Sequence, residues 1–285
     1  MKKRIRIYGA ALLAVAMTVS FVGCGNKTTD SKSSATTKPN QTSSTSGKLD
    51  QIKSAKKLVL GTSADYAPYE FHKLVDGKDQ VVGFDIEIAK EVAKDLGVEL
   101  KIQEMNFDGL LGALDTNNVD MVIAGMSPTP ERAKNVDFSK IYYTAQQGVI
   151  IRAEDKDKIK SIADLKGKKI GVQKGSIQET LAKEQMPDSS LVSISKIPQL
   201  VLELKSKKVD ALVVELPVAN GYVNKQKDLV ISQVQVKDET GGSAIAFKKG
   251  SKDLVDAVNT TIDRLIKDKK IDQFVSDANE MVEQQ

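Results

Sequence analysis

The chain has 285 residues, with 42 basic and 38 acidic side chains, one histidine and one cysteine. Lys2, Lys3, Arg4 and Arg6 lie in the first 23 residues with no acid among them, so the remainder balances at 38 against 38, and a nucleic-acid partner loses its electrostatic footprint. A single His72 and a single Cys24 leave no Ser-His-Asp or Cys-His pair in the folded part and no His/Cys metal cluster, so neither metal nor cofactor is expected.

The basic front precedes an apolar run from Gly9 to Val22. That run is short for a bilayer span, and residues 1–23 read as an export signal. Cys24 follows at once in Phe21-Val22-Gly23-Cys24-Gly25, which resembles a bacterial lipobox with Phe21 where Leu is usual. Lipidation of Cys24 is the expectation, with ordinary signal cleavage as the alternative. From Asn26 to Gly47, 12 of 22 residues are Ser or Thr and Ala35 is the only aliphatic one. Such a stretch buries too little to offset chain entropy, so residues 24–50 read as a disordered tether. The rest is long enough for two modest lobes or one large α/β domain, and no later stretch is long and apolar enough to cross a membrane.

Lys57 to Gly61 predicts a first strand, followed by a loop from Thr62 to Phe71 rich in acids, hydroxyls and two tyrosines. Tyr66 and Phe71 are candidates to cover the core edge. Apolar positions 88, 89, 92, 93 and 96 predict a helix, with Asp85 and Glu87 at its N-terminus and Gly97 ending it. A strand Val98 to Ile102, a helix Asp108 to Asp115 with Phe107 before it, and a strand 119–124 follow. The rhythm is that of a parallel α/β layer with its active edge at the strand C-termini.

At that edge stands Gly125-Met126-Ser127-Pro128-Thr129-Pro130-Glu131-Arg132. Thr129 suits an N-cap and Pro130 the first helical position. Ser127 and Thr129 add hydroxyls and Arg132 a guanidinium, so the segment reads either as a carboxylate receptor or as a capped surface helix with a solvated Arg.

A strand from Gly148 to Ile151 opens a second α/β set. It continues with a short helix at Ser161–Gly167, a strand Lys169–Val172, and a helix opened by Ser176 and Glu179 at capping-box spacing. A strand Leu191–Ile194 and a helix entered at Pro198 follow. Asp210–Val214 reads as an inner strand ending in Glu215, which is either half-buried and paired or the first loop residue. Gly241–Phe247 reads as a strand returning to the first layer. Two amphipathic helices close the chain, with Leu254, Val258, Ile262 and Leu265 on the first and Ile271, Phe274 and Val275 on the second.

Gly83-Phe84-Asp85-Ile86-Glu87, the 127–132 segment with Val136-Asp137-Phe138-Ser139, and Gly171-Val172-Gln173-Lys174-Gly175-Ser176 resemble the bacterial extracytoplasmic solute-binding family for polar amino acids. The likeness runs from about Lys57 onward. It implies a two-lobed periplasmic-binding-protein-like (type II) α/β fold with two crossover hinge strands. Residues 51–145 and 243–285 would form lobe 1, and 146–242 lobe 2.

The same resemblance implies a monomeric receptor, lipid-anchored at the extracytoplasmic face of the membrane, that delivers a polar L-amino acid to an ABC transporter permease. It places Arg132 on the ligand carboxylate with Ser127 and the backbone at Gly125 and Met126, and Glu215, where relatives more often have Asp, on the ammonium. Tyr66 and Phe107 become aromatic walls, and Ser176, Ile177 and Gln178 the second lobe's share. Ser63 stands where relatives selective for basic amino acids often have an acid. Glu70, with Asp65 as a weaker choice facing solvent, is the expected partner of a cationic side chain, so arginine is slightly preferred to glutamine. The rivals are an enzyme like cyclohexadienyl dehydratase, on the same scaffold, and a ligand-sensing or adhesin lipoprotein.

Overall fold

The computed structural model describes residues 47–284; the expected signal, Cys24 and nearly all of the Ser/Thr-rich segment lie outside the described residues. Two five-stranded sheets and one small antiparallel sheet carry the fold. In the first, Lys57–Thr62 runs parallel to Glu99–Glu104 on one side and Met121–Val122 on the other. Ser243–Lys248 then lies antiparallel between Met121–Val122 and Val136–Tyr143. The second sheet has the order Ser190–Ile194, Lys169–Gln173, Ala211–Glu215, Gln147–Arg152, Leu229–Ile231. Its inner strands Ala211–Glu215 and Gln147–Arg152 are buried from end to end. Their apolar runs, polar only at the ends, are what a strand covered on both faces requires.

The α/β expectation and most element positions agree with the structure. The helix Phe84–Leu96 buries Ile88, Ala89, Val92 and Ala93 and ends at Gly97 with φ 70°. The chain passes between the sheets twice, at 144–146 and 232–242. At those passages Thr144 Oγ1 donates to the Gly241 carbonyl at 2.8 Å. One contiguous buried cluster runs from Leu60, Phe84 and Phe247 beside the first sheet to Ile150, Leu212 and Val214 in the second.

Three readings need correction, and one element is added. The end of the expected tether is helical, because Lys48–Ala55 packs Ile52 into the core. The strand expected at 119–124 is reduced to Met121–Val122, since Gly125 at φ 54° turns the chain out of the sheet. The connector after the first strand contains Asp65–Tyr66, paired with Glu70–Val75, which pairs in turn with Lys78–Val82. The tight turn of that hairpin is Asp76-Gly77, both at positive φ, a two-residue signal of the type I′ class. A helix Leu216–Lys225, with Pro217 in its first turn, follows the strand that ends at Glu215.

The hairpin is held under the N-terminus of helix Phe84–Leu96. Phe84 N donates to the Pro68 carbonyl at 3.1 Å and Asp85 N to the Tyr69 carbonyl at 3.0 Å. Gly83, φ 126°, makes this approach possible: a Cβ there would lie 2.1 Å from the Tyr69 carbonyl oxygen. Tyr66 and Tyr69 are thereby fixed facing the second sheet.

Candidate functional site

A cavity of about 10 Å³ lies where the C-terminal ends of the two parallel strand sets face each other. From the first sheet's side it is bounded by Tyr66, Phe107, Gly125, Ser127 and Arg132, and from the second by Gln173, Ser176, Ile177 and Gln178. It is smaller than most ligand pockets, and the two sides touch around it. Lys174 Nζ lies 3.0 Å from Asp108, and Ile197 N donates to Asp65 at 3.1 Å. The cleft is closed.

Arg132 is placed by the cap that the sequence suggests. Thr129 Oγ1 accepts from Arg132 N at 3.2 Å, and Pro130 begins a helix of only four residues. One turn carries little dipole, so the guanidinium supplies the positive charge. Its Nη1 donates to the Ser127 carbonyl and its Nη2 to the Gly175 carbonyl, both at 2.8 Å, while the cation sits 5.5 Å from the centre of the Phe107 ring. Burial pushes its pKa down to about 10, so it is charged at neutral pH. No carboxylate pairs with it among the described residues, and the buried Ser127 Oγ beside it has no partner.

Gly125 bounds the cavity, but its N–H is donated to Asp85 Oδ2 at 2.9 Å and is not free for a ligand. What Gly125 contributes is room: a Cβ would meet the rings of Tyr66 and Tyr69 at 3.3–3.4 Å. Met126 is buried without bounding the cavity and accepts from Ala244 N through its carbonyl. On the other side, Ser176 Oγ accepts from Glu179 N at 3.2 Å, while Glu179 caps Gly175 N, not Ser176 N, so the capping box is half formed. Ile177 and Gln178 open a nine-residue helix, where backbone N–H groups have no acceptor further up the helix.

Glu215 ends its strand at 3% exposure, beside the cavity but not on its boundary. Its carboxylate accepts from the Tyr69 hydroxyl, and its N–H donates to Tyr66 Oη at 2.9 Å. Burial pushes this carboxyl up to about 8, despite the Tyr69 hydrogen bond. An anion would relieve Arg132 and a cation would relieve Glu215.

Ser63 and Glu70 also lie off the cavity boundary. Ser63 Oγ donates to Asp65 Oδ1 at 3.0 Å, and Asp65 turns inward to Ile197, not out to solvent. Glu70 is fully buried against Asp85, and burial together with the Asp85 charge pushes its pKa well up. Both effects work against the negative charge expected there from sequence. Burial raises Asp85 to about 6, and the hydroxyl of Tyr142 lies beside it. No group of three or more His, Cys, Asp or Glu suited to a metal occurs among the described residues. Among those residues no helix is long and apolar enough to cross a membrane.

The family model for bacterial extracellular solute-binding proteins, family 3, matches residues 58–277. The arginine-binding extracellular protein ArtP of Bacillus subtilis (strain 168) is 41% identical over 254 residues, 88% of this chain and 89% of that protein. The ABC transporter glutamine-binding protein GlnH of the same strain is 30% identical over 273 residues, 94% and 95% of the two chains. The crystal structure of AbpA, an amino acid ABC transporter substrate-binding protein of Streptococcus pneumoniae bound to L-arginine, matches with a TM-score of 0.80. Its sequence identity is 44%, covering 82% of this chain and 98% of that one.

Proposed function

The chain belongs to the bacterial extracellular solute-binding proteins, family 3, and on that premise we propose that it closes around a polar L-amino acid, arginine first, for an ABC importer. The observation that carries this reading is a guanidinium and a carboxyl group buried without ionic partners in one closed cleft: Arg132 on the cavity wall and Glu215 just behind it. A free amino acid supplies both missing partners. Arg132 holds the α-carboxylate with the Ser127 hydroxyl and the N–H groups of Ile177 and Gln178, and Glu215 holds the α-ammonium. Tyr66 and Phe107 wall the ligand.

Residues 51–145 with 243–285 act as one lobe and 146–242 as the other, hinged at the two chain passages. Similarity to arginine-binding and glutamine-binding relatives supports the ligand class, and the relatives are binding proteins, not enzymes.

A thermal-shift panel of the twenty amino acids tests the reading. Ligand at about 100 times its dissociation constant stabilises by roughly 2.7 kcal/mol, and L-arginine is expected to give the largest shift. Stabilisation by glutamate or aspartate alone would overturn the choice of a cationic ligand. The membrane anchor is a separate proposal, resting on Cys24 after the apolar run. Wild-type protein should fractionate with membranes and Cys24→Ala should be released or left uncut; fully soluble wild-type protein would contradict it.

A further inference from the structure

Behind the cavity runs a hydrogen-bonded chain whose direction is fixed by its last member. Gln178, on the cavity wall and 6% exposed, donates through Nε2 to Gln147 Oε1 at 3.0 Å. Gln147 donates through Nε2 to Asp238 Oδ2 at 2.9 Å. Asp238 accepts at its other oxygen from Thr240 N at 2.9 Å and Thr240 Oγ1 at 2.7 Å. Gln147 is also the ladder neighbour of Glu215. An ionised carboxylate only accepts. Each amide NH₂ is therefore turned away from the cavity toward Asp238, and the Gln178 carbonyl is left for whatever fills the cavity.

With the α-carboxylate and α-ammonium assigned to Arg132 and Glu215, that carbonyl falls to the ligand's side chain. We infer that Asp238, acting through Gln147, is a positioning residue that sets Gln178 as an acceptor and makes the site select side chains that donate hydrogen bonds, guanidinium first. This rests on the amino-acid reading of the cavity. Charge agrees with it. Asp238 lies close enough to help hold the Glu215 carboxyl up. With Glu215 ionised, the site has one positive and two negative charges, the complement of L-arginine. Ser127 Oγ, buried on the same wall, is a further polar group without a hydrogen-bond partner.

The direction of the chain can be reversed by one isosteric change. In Asp238→Asn the Thr240 N–H still needs an acceptor, so the new carbonyl must face it and the new NH₂ must face Gln147. Gln147 and then Gln178 turn over, and the cavity receives a donor in place of an acceptor. Gln147→Leu cuts the chain while leaving every charge in place.

The test is calorimetric titration of wild type and both variants with L-arginine and L-glutamine, with thermal unfolding of each empty protein as a check on folding. The arginine-to-glutamine affinity ratio should fall about tenfold in Gln147→Leu and further in Asp238→Asn, because a glutamine side chain can offer either end of its amide. Equal losses for both ligands, as a loosened chain passage would give, overturn the inference. So does a ratio that falls only in Asp238→Asn, since that leaves the charge as the whole effect. A wild type that takes neither amino acid overturns the amino-acid reading together with the inference.

Discussion

Arg132→Ala is expected to weaken binding of the amino-acid ligand by about 2–5 kcal/mol, the cost of leaving a carboxylate buried without its charge partner. The loss has two sources. The guanidinium supplies the only cation on the cavity wall among the described residues, and its Nη2 also joins the two sides of the closed cleft through the Gly175 carbonyl. The empty variant should unfold close to wild type, because removing a desolvated cation offsets the loss of two hydrogen bonds to carbonyls. Isothermal titration with L-arginine reads the affinity and a thermal scan reads the fold. Wild-type affinity in the variant would remove Arg132 from the site.

Affinity should also rise with pH, by about tenfold per unit between pH 6 and 8, and flatten above. Burial holds the Glu215 carboxyl up to about 8 when the cleft is empty, so at pH 7 roughly nine in ten molecules carry it protonated. An ammonium needs the carboxylate, so binding at pH 7 should release close to one proton. Titration in buffers of different ionisation enthalpy would register that release, and Glu215→Gln should abolish both the release and the pH slope. A flat affinity from pH 6 to 8 in wild type would show that Glu215 is not the ammonium's partner.

The stability of the empty protein should move the opposite way. An acid whose folded pKa is raised stabilises fully below its unfolded value and loses that contribution as pH rises through the folded one. Glu215 gives up its contribution between about 4.5 and 8, and Asp85 between about 3.8 and 6. The stabilisation produced by ligand therefore widens as pH rises.

Sequence reveals backbone chemistry well and partners poorly. The cap at Thr129, Pro130 in the first turn and the stop at Gly97 are local, and all three stand as the residues imply. The hairpin after the first strand was equally local, in Asp76-Gly77, but the polar loop before it hid the strands. The helix Leu216–Lys225 starts at a proline, yet it follows a strand without a polar connector to announce it.

The charge state of an acid is another matter. Glu70 and Glu215 look alike in sequence. One lies against Asp85 in a site without a cation, and the other lies beside the cavity under a tyrosine hydroxyl. Gln147 and Asp238 gave no signal, because their meaning comes from an order of donors and acceptors that crosses from one chain passage to the other.

The first sheet is not finished by the first half of the chain. Ser243–Lys248 fills an inner place between Met121–Val122 and Val136–Tyr143, and it is the latter's only strand neighbour among the described residues. The second sheet draws all its strands from residues 147–231. In a chain that emerges N-terminus first, the inserted half can mature while the enclosing half still waits with two open strand edges. Such edges pair readily with other chains. An export intermediate halted before Ser243 would thus hold one finished half and one adhesive half, and the outcome would turn on whether chaperones shield those edges until the last strand arrives.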